Sequence, residues 1–205
     1  MEDFELEQLK EQEITNLEII PKTKHLCWLY ENDEDRLGVV EPFLVAALSR
    51  RKQCMLVVPE PVKEAIYADL TAGDVNVKRY QDIEQLVHIE PEEVFFQGGS
   101  LDTDVVVHAV LTALAQAQAK GWEGLAIVTD ASLVLGRARD EEWLALEFRM
   151  DYECYTKPCT MLCLYDQRLA SGRLLTAMIK VHPVIGLGNV LARNPFYSSP
   201  TLHTS

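Results

Sequence analysis

The chain has 205 residues, of which 48% are hydrophobic and 25% charged, which is enough for one soluble α/β domain with a real core. Its formal net charge of -13 argues against nucleic acid binding, because phosphate binding requires Lys and Arg. Short apolar runs, an acidic amino terminus and five cysteines placed mostly in apolar strands predict a cytoplasmic protein without a membrane span or a secretion signal.

The first half of the chain predicts strands that alternate with helices. Residues 1–20 are acidic and predict a helical arm that precedes the main domain. An apolar strand at residues 25–30 is followed by a helix whose apolar residues recur at helical spacing. The continuous apolar run at residues 54–58 predicts a strand buried on both faces, followed by a helix that begins near Pro61 and by a weaker strand at residues 86–89.

A long loop is predicted at residues 90–103, which contain a proline and a Gly-Gly-Ser run. Asp102 or Asp104 is expected to cap the next helix, which ends before Gly121. A strong buried strand then ends at Asp130. The remaining elements, two helices and two strands, are predicted at residues 140–155, 160–165, 172–181 and 184–191. The predicted main domain covers residues 21–200, and residues 201–205 are expected to be a tail.

This alternation predicts a mainly parallel sheet with helices on both faces, since parallel strands need crossover connections. Ligands of such sheets bind outside the carboxyl ends of the strands. That rule selects polar residues at or just after strand ends, namely Tyr30, Glu31, Asp130, Tyr165 and Asp166. We expect the first, fourth and fifth strands to end side by side, with these acids and phenols around one hollow.

Several short motifs carry a resemblance to a known family. They are His25 with Tyr30-Glu31, Glu147 in the long helix, Cys163-Leu164-Tyr165-Asp166, His182-Pro183 and Asn194-Pro195-Phe196-Tyr197. In this order and spacing they resemble the MEDS domain (methanogen/methylotroph, DcmR sensory domain) over residues 25–200. The resemblance implies a RecA/KaiC-like fold and a sensory module that binds small organic molecules. It adds His25, His182, Asn194 and Tyr197 to the expected ligand-binding residues.

The turn after the first strand departs from a nucleotide-binding protein. A phosphate-binding loop would read Gly-x-x-x-x-Gly-Lys-Ser/Thr, but this chain has Glu31, Asp33, Glu34 and Asp35 there. Four carboxylates would repel a triphosphate. We therefore expect a RecA-like fold without ATP hydrolysis and without a nucleotide cofactor.

The cysteines and histidines also permit other interpretations. Cys163 and His182 could form a nucleophile and base pair, although the apolar residues around Cys163 favour a buried structural thiol. The spacing of Cys154, Cys159 and Cys163 is not that of a metal site, so no metal is expected. His182 could instead end a helix and form a hydrogen bond with a backbone group. Asp130 could cap the helix that follows it.

Together these features predict a non-catalytic, cytoplasmic sensory domain that binds a small organic molecule and regulates a partner protein in transcription or two-component signalling. No cofactor, direct nucleic acid contact or membrane contact is expected, and a homodimer through the acidic arm or the helix at residues 140–155 is plausible. A ligand is expected to close residues 90–103 or the tail over the strand ends. The alternatives are a cysteine-dependent or degenerate nucleotide-handling enzyme, and an interaction scaffold that has lost ligand binding.

Overall fold

The computed structural model describes residues 24–188 and 190–197, so the arm predicted at residues 1–20 and the tail predicted at residues 201–205 lie outside it. The described residues form one seven-stranded sheet with the order β3-β2-β4-β5-β1-β6-β7. All neighbours are parallel except β6 and β7. The strands are β1 (His25–Tyr30), β2 (Gln53–Val57), β3 (Leu86–Ile89), β4 (Leu125–Asp130), β5 (Cys159–Asp166), β6 (Val184–Leu187) and β7 (Val190–Arg193).

Eight helices connect and cover these strands in the described part of the chain. They are α1 (Asp33–Ser49), α2 (Glu60–Ala72), α3 (Val77–Asp82), α4 (Pro91–Phe95), α5 (Thr103–Ala119), α6 (Ser132–Leu135), α7 (Asp140–Thr156) and α8 (Gly172–Val181). Local sequence sets several of their ends. Asn32 caps α1 by accepting from the Asp35 amide, and Asp102 caps α5 by accepting from two amides, as predicted. Gly121, with a φ of 85°, follows the end of α5.

The sheet has helices on both faces, which confirms the predicted fold class. Alternate residues of each strand point to opposite faces. Cys27 and Ile127 belong to the core under α4, α5, α6, α7 and α8, whereas Leu26 and Val128 belong to the core under α1, α2 and α3. These two sides are called the α7 face and the α1 face below. Strands β4, β5 and β1 are neighbours, as expected from the sequence.

Two local predictions need correction, and two short helices were not predicted. Residues 90–103 are not wholly a loop, because Pro91 starts the five-residue helix α4 and its apolar residues enter the core. The strand predicted at residues 184–191 is an antiparallel hairpin of β6 and β7. Helices α3 and α6 were not predicted, since six and four residues are too few to show a periodic pattern.

Candidate functional site

Helix α7 carries two carboxylates into the core of the α7 face. Trp143, Glu147 and Asp151 follow one another at four-residue spacing, so all three lie on the inner side of the helix. Glu147 is 2% exposed and Asp151 is 3% exposed. Two fully buried histidines, His25 on β1 and His182 at the end of α8, lie against them. Buried charges are costly unless they are paired, so the contacts of these groups decide their chemistry.

His25 lies between the two carboxylates. Its Nδ1 is 3.3 Å from Asp151 Oδ1, and its Nε2 is 3.2 Å from Glu147 Oε2. Burial alone would lower the pKa of His25, but hydrogen bonds to Asp151 and Glu147 raise this pKa to about 9. Burial alone would raise the pKa of Glu147, but contacts with His182 and His25 lower it. Both shifts are in the direction that favours the ionised forms of His25 and Glu147.

His182 has one bonded and one unbonded ring nitrogen. Its Nδ1 is 2.9 Å from the Met178 carbonyl oxygen, and since a carbonyl only accepts, Nδ1 is the nitrogen that donates. Its Nε2 lies 3.4 Å from Glu147 Oε2 but makes no hydrogen bond with any described residue. Burial and the nearby charge of His25 lower the pKa of His182. In the neutral ring, Nε2 carries a buried lone pair that accepts no hydrogen bond from the described residues.

A thiol and a phenol complete this cluster. The Sγ of Cys163 is 3.3 Å from His25 Nε2 and 3.9 Å from Glu147 Oε2. The Tyr165 hydroxyl donates to Glu147 Oε1 and accepts from Trp143 Nε1 at 3.2 Å. Burial and the charge of Glu147 raise the pKa of Cys163, which is a poor situation for a nucleophilic thiolate.

Four side chains of this cluster could hold a metal ion. The ligand atoms of His25, Glu147, Cys163 and His182 all lie within 4.8 Å of one another, and all four residues are buried. Cys154 and Cys159, the other cysteines considered from the sequence, are not in this group. Cys163 and His182, the pair considered from the sequence, thus lie in one cluster, and the imidazole in hydrogen-bonding distance of the Cys163 thiol is that of His25.

A second polar cluster lies on the α1 face at the carboxyl ends of β1 and β4. The Tyr30 hydroxyl is 3.1 Å from Asp130 Oδ2 and 2.9 Å from the Ser132 hydroxyl. Arg36 reaches Asp130 at 3.4 Å and Asp33 at 2.8 Å, and its guanidinium lies over the Tyr30 ring. Burial and the charge of Asp130 raise the pKa of Tyr30 to about 12. The polar atoms of this cluster mostly satisfy one another.

The predicted ligand-binding residues do not surround one hollow, which corrects the arrangement expected from the sequence. Tyr30 and Asp130 point to the α1 face, whereas Tyr165 points to the α7 face. The cause is strand parity, because Tyr165 and Asp166 are consecutive and must point to opposite faces. His25 also starts β1, so it lies at the opposite end of that strand from Tyr30.

The other predicted residues have separate positions. Asp166 forms two hydrogen bonds with the Arg168 guanidinium, at 2.8 and 2.6 Å. Glu31 is exposed. The Asn194 side chain donates to the His182 carbonyl at 2.7 Å, and the Tyr197 hydroxyl donates to Asp151 at 2.9 Å. Whether any of the nine residues binds a ligand stays a prediction. Five of them belong to the network around Glu147, namely His25, Tyr165, His182, Asn194 and Tyr197.

Sequence reasoning did not select Glu147 or Asp151 as site residues. A signal was present, because both acids fall on the same helical stripe as the core residues Trp143, Leu146 and Met150. A carboxylate on the apolar stripe of a helix must find a buried partner.

The network adjoins a small apolar cavity between the sheet and helices α4, α5 and α7. About 10 Å³ of it is open to the centre of a water-sized molecule, which is room for about one water. Its polar wall groups are Glu147 and Thr129, and the buried Thr129 hydroxyl has no hydrogen-bond partner among the described residues. The apolar wall is formed by Met55, Val57, Val94, Phe95, Val106, Val110, Ile127, Trp143, Leu146, Met150 and Met161.

Comparison with known proteins agrees with the resemblance seen in the sequence. The family model described as MEDS, the methanogen/methylotroph, DcmR sensory domain, matches residues 24–183. No curated protein matches the chain in sequence. All four potential metal ligands lie within the matched range.

Solved structures are similar in fold. An uncharacterised protein from Pyrococcus horikoshii, solved in complex with an unknown peptide, is 15% identical with a TM-score of 0.61, over 82% of this chain and 81% of that one. The flagellar accessory protein FlaH from Methanocaldococcus jannaschii is 10% identical with a TM-score of 0.53, over 82% of this chain and 74% of that one. At these identities the likeness shows the fold alone. Within the described residues, no helix is both long and apolar enough to cross a bilayer.

Proposed function

The chain belongs to the MEDS family, and we propose that it is a non-catalytic sensory domain that binds a small organic molecule and thereby regulates a partner protein. The observation that carries the ligand-binding part is the small cavity on the α7 face, where Thr129 and Glu147 are the polar groups in an apolar wall. Ligand sites commonly combine an apolar lining with a few placed polar groups.

The chemistry of the wall selects the class of ligand. Three methionines, Met55, Met150 and Met161, line the cavity, and methionine side chains adapt to differently shaped apolar groups. The unpaired Thr129 hydroxyl offers one hydrogen bond to a molecule in the cavity. A molecule of a few carbon atoms with one hydroxyl or carbonyl group fits both features.

Binding requires the cavity to expand, because at present it has room for about one water. Val94 and Phe95 of α4 form part of its wall, and they belong to the segment 90–103 expected from the sequence to close over a ligand. A five-residue helix can move at lower cost than the long helices beside it. The ligand would then favour an expanded conformation that the free protein rarely populates.

Helix α7 is the element proposed to pass ligand occupancy to a partner. Its inner side carries Glu147 at the cavity, and its outer side exposes three aromatic residues. Phe148 is 46% exposed, Tyr152 41% and Tyr155 52%. A shift of α7 would therefore change both surfaces together. The partner would belong to transcription or two-component signalling. A homodimer through α7 stays a prediction. If it forms, the Tyr152→Ser variant should sediment as a smaller species than the wild type.

A binding role without catalysis is favoured by the state of Cys163. Its side chain is fully buried, and burial together with the charge of Glu147 raises the pKa of its thiol. A nucleophilic cysteine needs an accessible thiolate. The acidic turn at residues 31–35 similarly disfavours nucleotide handling, since it would repel phosphates.

Methionine-methyl NMR tests the proposed ligand site. The chain has five methionines, so selective labelling gives a small spectrum in which Met55, Met150 and Met161 report on the cavity. Alcohols of one to four carbons are the probes, because each combines a short apolar chain with one hydroxyl group. We expect saturable shifts of these three methyl signals. The buried Met178, which is not a wall residue, is the internal control.

Hydrogen exchange provides the second readout. The bound alcohol should change amide protection in residues 90–103 and α7 more than in α1 and α2. Absence of saturable methyl shifts with every alcohol, or equal shifts of Met178 and the wall methionines, would contradict the proposal.

A further inference from the structure

Two imidazoles on the α7 face direct the same ring nitrogen toward one carboxylate oxygen. Asp151 accepts from Nδ1 of His25, and the Met178 carbonyl accepts from Nδ1 of His182. The two Nε2 atoms then lie 3.2 and 3.4 Å from Glu147 Oε2. Histidines that bind a metal typically donate their other N–H to a carboxylate or a backbone carbonyl, which fixes the ring. Both kinds of supporting partner are present here.

The Nε2 of His182 is the atom that points most directly to a cation-binding site. Because its Nδ1 donates to a carbonyl, the Nε2 of the neutral ring has only a lone pair. That lone pair faces an oxygen of Glu147 without a hydrogen bond, inside a fully buried residue. Two acceptors therefore face each other, and a buried acceptor without a donor is destabilising. A positive ion between them would bind both.

We propose that His25, Glu147, Cys163 and His182 bind a tetrahedral zinc ion through Nε2, a carboxylate oxygen, Sγ and Nε2. Neighbouring ligand atoms of tetrahedral zinc lie about 3.3–3.6 Å apart, as follows from its usual bond lengths. The corresponding separations here are 3.2 Å for His25 to Glu147, 3.3 Å for His25 to Cys163, 3.4 Å for His182 to Glu147 and 3.9 Å for Cys163 to Glu147. These four separations are close to the tetrahedral values, and the other two, from His182 to His25 and to Cys163, lie within 4.8 Å.

The charges of the ion and its four ligands cancel, and Asp151, which accepts from Nδ1 of His25, adds one negative charge next to them. A divalent ion with one carboxylate, one thiolate and two neutral imidazoles has no net charge, which suits a site without solvent. Binding removes the thiol proton of Cys163 and any proton on the Nε2 of His25, and both protons leave to the buffer. Imidazole, thiolate and carboxylate ligands in a tetrahedron select zinc over magnesium or calcium.

The ion would join four separate parts of the chain. His25 starts β1, Glu147 is in the middle of α7, Cys163 is on β5 and His182 follows α8. Four protein ligands leave no open coordination position, as in structural zinc sites. The ion would therefore fix α7 and the end of α8 to the sheet. This inference stands apart from the proposed function, since metal binding does not require a ligand in the cavity.

Cobalt substitution of the full chain tests the site. The protein is stripped with a chelator and titrated with Co²⁺, and Cys163→Ala is compared with Cys27→Ala. Cys27 is the matched control, because it pairs with Cys163 in the β1–β5 register and is equally buried. We expect one equivalent of Co²⁺ with tetrahedral absorption bands in the wild type and in Cys27→Ala. Cys163→Ala should lack the thiolate-to-cobalt charge-transfer band.

X-ray absorption of the zinc-loaded wild type needs no variant, so it remains informative if Cys163→Ala does not fold. The expected first shell contains one sulfur and two imidazoles. The proposal is overturned if zinc and Co²⁺ bind below about 0.1 equivalent after reconstitution, where a structural site would be filled. It is also overturned if the sulfur count is zero or exceeds one, or if Cys27→Ala loses the charge-transfer band.

Discussion

The two faces of the sheet stabilise their buried acids in different ways. On the α1 face, Asp130 is paired with Arg36, whose charge is permanent, and with the hydroxyl groups of Tyr30 and Ser132. On the α7 face, the partners of Glu147 are two imidazoles, a thiol and a phenol, none of which is permanently charged. In the first cluster the acid has a permanently charged partner, although the buried Arg36 Nε itself has no hydrogen-bond partner among the described residues. The second depends on a proton or a cation, and for this reason we propose it as the functional centre.

Replacement of Glu147 should give the largest loss of stability, because it leaves the buried His25 with Asp151 as its remaining carboxylate partner. Glu147→Leu is expected to lower the free energy of unfolding by about 3–5 kcal/mol, as for other broken buried ion pairs. Urea denaturation provides the measurement. Glu153→Leu on the same helix is the matched control, and it should cost below about 1 kcal/mol since its partner Lys157 is partly exposed. Equal losses of unfolding free energy in the two variants would show that the pairing of Glu147 contributes no more to stability than the ion pair of Glu153 with Lys157.

Replacement of Asp130 should have a smaller effect. In Asp130→Ala, Arg36 keeps its ion pair with Asp33, so we expect a loss of about 1–3 kcal/mol from the unpaired hydrogen-bonding groups. The same urea series measures it. A loss as large as that of Glu147→Leu would mean that Asp130 and Glu147 are equally important for stability, and the proposed difference between the two faces would be wrong.

Tyr197→Phe sharpens the comparison at the edge of the α7-face network. It removes one hydrogen bond to Asp151 from a partly buried side chain, so a loss of about 0.5–1.5 kcal/mol is expected. Thermal unfolding of the variant and the wild type, compared under identical conditions, measures the change. An unchanged midpoint would show that Tyr197 does not contribute to the stability of the network.

Thr129→Val should have the smallest effect and the opposite sign. The substitution removes a buried hydroxyl without a partner and keeps the shape of the side chain, so stability should rise by roughly 0.5–1 kcal/mol. Alcohol binding, followed by the methionine methyl signals, should weaken in the same variant. Loss of stability would indicate that the hydroxyl already has a partner in solution.

The fold was largely predictable because hydrophobic periodicity acts locally. Strand β3 was predicted at residues 86–89, and the Asp102 cap was one of two candidates. The parity of Tyr165 and Asp166 was also readable, since consecutive strand residues point to opposite faces. The site was less predictable, because the contact between His25 and Asp151 joins residues 126 positions apart in sequence. Such a contact depends on which strands become neighbours, and periodicity does not specify strand order.

The most direct test of the functional centre compares one blocking substitution on each face. Val110→Phe places a larger side chain in the cavity, whereas Tyr30→Phe removes the phenol of the α1-face cluster. Affinity for the alcohol that binds the wild type best is measured by methionine-methyl titration. We predict that Val110→Phe weakens binding at least about tenfold, because overpacking closes the cavity, and that Tyr30→Phe leaves it unchanged. Full affinity in Val110→Phe together with lost affinity in Tyr30→Phe would contradict a site on the α7 face.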